Sequence, residues 1–178
     1  SQILPYIIDL SDSYSFQLIS FEKHDRLLKH KETIEAICES NNIEWHPLMY
    51  TKNPPVLSTL IDVIKLFRHA KKLYKANRFS IVHCRSYISA LVGLAYKKKN
   101  KAQFIFDMRG FWADERVDGK LWNLKNPIYY WIFKFFKRKE TDFLIHADAV
   151  VALTQKAKDE MLTWGIKALQ ADKITVIP

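Results

Sequence analysis

The strongest constraint on the fold is the alternation of short apolar runs with longer helical segments along the whole chain. Residues 16–21 alternate apolar and polar side chains as a strand does, and residues 80–84 and 104–106 are short apolar runs. Between such runs lie segments of roughly 10 to 20 residues in which apolar side chains recur at helical spacing. Strands that alternate with helices predict βαβ units. We therefore expect an α/β fold with a doubly wound, mostly parallel sheet and helices on both faces.

The same patterns predict the individual elements. Strands are predicted at 16–21, 43–50, 80–84, 104–106, 149–153 and 174–177. Helices are predicted at 2–11, 25–40, 54–76, 87–99, 127–145 and from Thr154 to Gly165. Pro47 removes one backbone donor, which places strand 43–50 at a sheet edge. Ser86 and Thr154 are predicted helix N-caps, and residues 108–125 an irregular loop rich in charge and tryptophan.

Composition excludes several classes of function. The chain has four glycines, and none forms a Gly-x-Gly-x-x-Gly or Gly-Lys-Ser/Thr phosphate cradle. A dinucleotide-binding or nucleoside-triphosphatase domain is therefore not expected. The six histidines and two cysteines show no metal-ligand spacing, so we expect no metal and no cofactor. Cys38 and Cys84 lie in apolar segments and are predicted to be unpaired thiols. Unpaired thiols predict that the protein is located in the reducing cytoplasm.

The net charge of +9 is concentrated in one part of the chain. Residues 97–139 contain 12 Lys or Arg and 4 Asp or Glu, a local balance of +8. A focused positive region suits an anionic partner such as phosphate, nucleic acid or an anionic membrane. A solvated surface with excess lysines is the simpler alternative, since the lysines of 97–101 lie at a helix C-terminus, where cations are favoured.

Two predicted strands end in unusual polar residues. His83 lies at the end of the 80–84 run, with Arg85 and Ser86 directly after it, and Asp107 and Arg109 follow the 104–106 run. Both strands belong to one βαβ unit, so their carboxyl ends should lie side by side, where open parallel sheets bind ligands. Two arginines and a helix N-terminus suit an anionic or polyhydroxyl ligand. Further candidates in the following loop are Gly110, Trp112, Asp114, Glu115 and Arg116.

Simpler structural roles are open for each of these residues. His83 fits a hydrogen-bonded core histidine, and Asp107 and Arg109 fit an ion pair that orders the loop. Trp112 and Trp122 fit loop anchors, and Thr154 fits a helix cap. The charges of 114–116 fit a solvated loop surface.

Five stretches of the sequence resemble motifs of a known protein family. They are Ser-Gln-Ile-Leu-Pro-Tyr-Ile-Ile-Asp-Leu at 1–10, Phe-Ser-Ile-Val-His-Cys-Arg-Ser at 79–86, Phe-Asp-Met-Arg-Gly-Phe-Trp-Ala-Asp-Glu-Arg-Val-Asp-Gly at 106–119, Ala-Asp-Ala-Val-Val-Ala-Leu-Thr at 147–154 and Lys-Ile-Thr-Val-Ile-Pro at 173–178. Together they resemble glycosyltransferase family 4, which has the GT-B fold. The 106–119 stretch is similar to a subgroup of bacterial polysaccharide-building transferases.

The resemblance implies a two-domain, retaining enzyme that uses a nucleotide-sugar donor and no essential metal. Residues 1–178 would be its N-terminal, acceptor-side domain, with the first strand and the C-terminal donor domain outside this sequence, so the chain alone is expected to be inactive. Asp107 and Arg109 would act in catalysis. Many members carry a histidine where Arg109 stands. A guanidinium cannot act as a general base, so the resemblance implies an electrostatic and positioning role. The residues that would contact substrate are His83, Arg85, Ser86, Gly110, Trp112, Asp114, Glu115, Arg116 and Thr154.

Two other functions compete with transfer of a sugar to a glycan or lipid-linked acceptor. One is a non-catalytic carbohydrate-binding relative, suggested by Arg109 at the histidine position. The other is nucleic-acid binding, suggested by the charge. The basic residues lie on no helix-turn-helix, zinc finger or aromatic RNP-like strand, so no nucleic-acid partner is expected.

The segment 128–136 is apolar nearly all round a helix and is followed by three basic residues. Burial in a core is one explanation. Peripheral attachment to the cytoplasmic face of an anionic membrane is the other, since aromatic residues beside a basic cluster suit the headgroup layer. The contact residues would be Trp131, Phe135, Lys137, Arg138 and Lys139.

Overall fold

A computed structural model describes residues 3–54 and 56–178, and the chain divides into two compact units, residues 1–69 and 70–178. The predicted α/β class is confirmed: each unit contains a parallel sheet flanked by helices. Gln2, in the first predicted helix, and Pro55, in the Pro-Pro start of the third, lie outside the described residues.

The first unit is built on a pair of parallel strands. Its elements are α1 (Leu4–Asp9), β1 (Phe16–Glu22), α2 (His24–Ser40), β2 (Ile43–Met49) and most of α3 (Leu57–Asn77). Within the described residues β2 pairs with β1 alone, so the edge position predicted from Pro47 is confirmed. The small core of this unit is formed by Leu4, Ile7, Cys38 and Ile43.

The second unit has four parallel strands in the order β3-β4-β5-β6. Its elements are β3 (Ile81–Arg85), α4 (Ser86–Asn100), β4 (Gln103–Met108), α5 (Trp112–Asp118), α6 (Pro127–His146), β5 (Ala149–Ala152), α7 (Gln155–Thr163), a short 3₁₀ turn (Ala171–Lys173) and β6 (Ile174–Val176). The strands described thus form two sheets, whereas the hydrophobic pattern suggested one, because strand periodicity does not specify which edges pair.

Two local predictions are corrected. Ser86 is the first residue of α4 and not its cap; Arg85 takes the N-cap position without a side-chain hydrogen bond. Residues 112–118 are a helix, α5, within the segment expected to be an irregular loop. Asp114 and Glu115 in its first turn and Arg116 in its last turn complement the helix dipole.

The core of the second unit lies between its sheet and helices α4 and α6. Tyr87, Phe104, Phe106 and Phe143 are fully buried there. Gly93 lets α4 approach the sheet closely, since a methyl group at this position would collide with the Phe104 ring. The core therefore holds the carboxyl ends of β3 and β4 rigidly beside each other.

Candidate functional site

Four charged or titratable side chains converge where β3 and β4 end. The parallel register places Arg85 directly opposite Asp107. Asp107 Oδ2 lies 3.8 Å from both His83 Nε2 and Arg85 Nε, and Asp107 Oδ1 lies 3.9 Å from Arg109 Nη1. The structure therefore brings together the polar residues of both predicted strand ends. It also contains the Asp107–Arg109 pairing that was one of the open alternatives.

Asp107 is the buried centre of this cluster. Its side chain is 4% exposed, and its Oδ1 has no hydrogen-bond partner among the described residues. Burial raises the pKa of Asp107, and the nearby charges of Arg109, His83 and Arg85 offset that rise only in part. The contacts are longer than hydrogen bonds, which explains why Arg85, Arg109 and His83 do not outweigh desolvation of the Asp107 carboxylate.

His83 is the most accessible member of the cluster, with 43% of its side chain exposed. Burial lowers the pKa of His83 below its ordinary 6.5; Asp107 opposes this shift and Arg85 adds to it. The imidazole is therefore neutral at neutral pH and offers both a donor and an acceptor nitrogen. Beside two guanidinium groups, it can bind sugar hydroxyls or phosphate oxygens.

The raised pKa of Asp107 predicts how the free energy of unfolding depends on pH. Just above the ordinary pKa of 3.8, folded Asp107 still holds a proton that the unfolded chain has released. The contribution of Asp107 to stability therefore falls as the pH rises above 3.8. At neutral pH the folded protein still bears the free-energy cost of a buried, ionised carboxylate. We expect Asp107→Asn to gain stability relative to the wild type as the pH rises from about 4. Urea unfolding of both proteins across this range measures the difference; a constant or opposite difference would contradict the assignment.

Gly110 and Glu115 are packed together after β4. Gly110 has a φ of +156°, and the Glu115 carboxylate occupies the space that a Cβ atom would need. Glu115 belongs to the first turn of α5 and is exposed. This contact places one carboxylate of α5 next to the strand end that carries Asp107 and Arg109.

Trp112 is partly buried and packs against the core, as the anchor alternative described. Its ring packs on Tyr87, Trp122 and Phe136, with centroid distances of 5.7, 5.2 and 4.8 Å. Arg116 lies over the Trp112 ring, its Cζ 5.1 Å from the centroid. These contacts give Trp112 and Arg116 a structural role in holding α5.

Asp114 faces a different set of partners. Its carboxylate accepts a 2.8 Å hydrogen bond from Lys137 Nζ, which also lies 2.5 Å from the buried Glu140. Tyr87 donates a short hydrogen bond to the other Glu140 oxygen. Burial raises the pKa of Glu140, and the hydrogen bonds that it accepts from Lys137 and Tyr87 offset that rise only in part. The network joins α4, α5 and α6 through Tyr87, Lys137, Glu140 and Asp114.

Sequence reasoning missed Tyr87 and Glu140. One signal was present for Glu140: it lies at helical spacing from Phe136, Phe143 and Leu144, the buried face of α6. A carboxylate on an apolar face requires a partner. Lys137, predicted from the sequence as a membrane-contact residue, is that partner.

Thr154 and Ser86 occupy the starts of helices. Thr154 follows β5, the strand next to β4, and its hydroxyl accepts a 3.1 Å hydrogen bond from Ala157 N. The predicted N-cap is therefore confirmed. Ser86 starts α4 directly after Arg85 with a φ of +72°. Both residues lie at the carboxyl ends of strands, where ligands of parallel sheets bind.

No group of three or more His, Cys, Asp or Glu that could hold a metal occurs within residues 3–54 and 56–178. The cluster around Asp107 contains one carboxylate and one imidazole, with two guanidinium groups that repel cations. Its chemistry suits an anionic or hydroxyl-rich ligand.

The sequence was compared with models of known protein families. The sequence model of Glycosyltransferase Family 4 matches residues 22–178, well over half of the chain. No curated protein sequence matches significantly. The matched region contains both strand ends of the Asp107 cluster and all four strands of the second unit. The chain therefore belongs to glycosyltransferase family 4.

Proposed function

We propose that this chain is the N-terminal, acceptor-side domain of a retaining glycosyltransferase that builds polysaccharide. The enzyme would transfer a sugar from a nucleotide-sugar donor to a glycan or lipid-linked acceptor, without an essential metal. Family membership supports a glycosyltransferase function. The observation that carries the proposal further is the convergence of His83, Arg85 and Arg109 on buried Asp107 at the edge where parallel sheets bind ligands.

We assign acceptor binding to the exposed side of this cluster. His83 is accessible and neutral, so its ring nitrogens can donate to and accept from sugar hydroxyls. Buried Asp107 is a positioning residue: its carboxylate lies between His83 and the two guanidinium groups and orients them. Such preorganised groups need little rearrangement when the substrate binds.

Arg109 is the residue that we assign to the reacting atoms. During transfer the bond between the anomeric carbon and a phosphate oxygen breaks, and negative charge develops on the leaving nucleotide. A guanidinium that keeps its charge at every working pH can stabilise that oxygen. The donor nucleotide itself would be bound mainly by a second domain, because no glycine-rich phosphate cradle occurs in this sequence.

Titration calorimetry of this chain with UDP-sugars, GDP-sugars and a set of oligosaccharides tests the proposal. We expect weak binding of the nucleotide-sugars, no transfer, and binding of at least one glycan that His83→Ala weakens. His30→Ala on α2, an exposed histidine in the first unit, is the matched control. Micromolar binding of a nucleotide-sugar, or glycan binding that is indifferent to His83, would contradict an acceptor-side role.

A further inference from the structure

Helix α6 exposes large apolar side chains along one side. Ile128, Trp131 and Phe135 are 59%, 70% and 46% exposed. Their spacing of three and four residues places them in one row on the helix. No helix in the described part of the chain is long and apolar enough to cross a membrane.

The other side of α6 faces the core. Phe136, Phe143 and Leu144 are buried there together with Glu140. The two explanations that the sequence left for this segment thus apply to different faces of one helix. Burial accounts for the inner face and leaves the row of Ile128, Trp131 and Phe135 unexplained, since exposed apolar side chains in a continuous row mark interaction surfaces.

Positive charge surrounds the exposed row. Residues 119–139 contain six Lys or Arg and no Asp or Glu. Two of the six are occupied within the fold: Lys137 pairs with Asp114 and Glu140, and Lys139 pairs with Asp142 at 2.9 Å. The other four are exposed: Lys120, Lys125, Lys134 and Arg138. Lys134 and Arg138 follow Trp131 by three and seven residues and therefore flank the row.

We propose that this aromatic–basic face, formed by Ile128, Trp131, Phe135, Lys125, Lys134 and Arg138, docks on an anionic lipid bilayer. Tryptophan partitions into the headgroup layer, where its ring is partly apolar and partly wet. Lysine and arginine side chains beside it bind lipid phosphates. A protein partner fits less well, because lysine is depleted in the cores of protein interfaces.

The start of this face lies on the same side of the sheet as the proposed site. The connection from β4 through α5 and α6 to β5 starts at the carboxyl end of one parallel strand and returns to the amino end of the next. The first turn of α6, with Ile128, is therefore on the side of the sheet where β3 and β4 end. If the proposed function holds, a bilayer on this face presents a lipid-linked acceptor near the Asp107 cluster.

Co-sedimentation of the chain with vesicles tests the docking surface without depending on transfer activity. We expect binding to phosphatidylcholine vesicles that contain phosphatidylglycerol, and little binding to phosphatidylcholine alone. Each basic residue at the surface contributes about fivefold to partitioning, so Lys125→Gln, Lys134→Gln and Arg138→Gln together should weaken binding by about a hundredfold. Trp131→Ser with Phe135→Ser should also weaken it strongly, and added salt should release the protein.

Leu28→Ser is the matched control for an exposed apolar residue, since Leu28 is 71% exposed on α2. Circular dichroism establishes that each variant remains folded. Equal binding to neutral and anionic vesicles, or unchanged binding by both sets of α6 variants, would overturn the proposal. Self-association that the same variants abolish, without vesicle binding, would identify a second copy as the occupant and overturn it as well.

Discussion

Arg109→Ala is expected to lower the turnover of the enzyme that contains this domain by about 10²–10³-fold, with little change in the free energy of unfolding. The Arg109 side chain is only 25% exposed and its Nη1 lies 3.9 Å from Asp107 Oδ1, so it is held in place before substrate binds. Its loss removes a preorganised charge from the leaving phosphate. Stability should change little, because the 3.9 Å contact between Arg109 and Asp107 is longer than a hydrogen bond and Arg85 stays beside the carboxylate. Steady-state kinetics and urea unfolding measure the two effects.

The conservative variant separates a catalytic role from a structural one. Arg109→Lys keeps the charge and loses the forked geometry of the guanidinium, so partial recovery of turnover is expected. Arg26→Ala, which removes an exposed arginine from α2, is the matched control and should leave turnover unchanged. If Arg109→Ala retains more than about half of the wild-type turnover, its pairing with Asp107 serves only to order the loop.

Lys137→Met is expected to destabilise the second unit by about 3 kcal/mol at neutral pH, because it leaves a buried carboxylate without its cation. Glu140 is 2% exposed, and Lys137 Nζ lies 2.5 Å from it. The loss should shrink as the pH falls toward the ordinary glutamate pKa of 4.5, since a protonated Glu140 no longer needs a cation. Chemical denaturation at several pH values measures both parts of this prediction.

Two further variants test whether the effect belongs to the ion pair. Lys137→Met combined with Glu140→Gln should recover most of the lost stability, because the amide keeps an acceptor for Tyr87 and carries no charge. Lys134→Met, one turn away at an exposed position, should cost less than about 1 kcal/mol, since its contact is a cation–π approach to Tyr130. Equal losses for Lys137→Met and Lys134→Met would show that the Glu140 pair contributes no stability.

The test at Arg109 concerns the proposed site, and the test at Lys137 concerns the stability of the second unit. Arg109 lies at the end of β4 with the residues that we assign to substrate. Lys137 lies within the network that ties α4, α5 and α6 together. A variant of Lys137 that lowers turnover only in proportion to the folded fraction would therefore leave the assignment of Arg109 intact.

The sequence by itself determined the α/β class, the succession of strands and longer helices, and the shared edge at which β3 and β4 end. These features depend on local periodicity and on the rule that neighbouring parallel strands end at one edge. That rule correctly predicted that Arg85 and Asp107 lie side by side. In the structure they are directly opposite each other in the register of β3 and β4. The N-cap at Thr154 was also readable, because its hydrogen bond spans only three residues.

Only the tertiary structure decided how charges and aromatic rings are shared between elements. Lys137, predicted as a membrane-contact residue, pairs with Glu140 and Asp114, while Trp131 and Phe135 on the same helix are exposed. Trp112 packs against the core, where it contacts rings from α4 and α6. Asp107 is less readily ionised than its two arginine neighbours suggest, because burial of the carboxyl group outweighs their charge. Each outcome depends on desolvation and on contacts between residues distant in sequence, which local patterns do not encode.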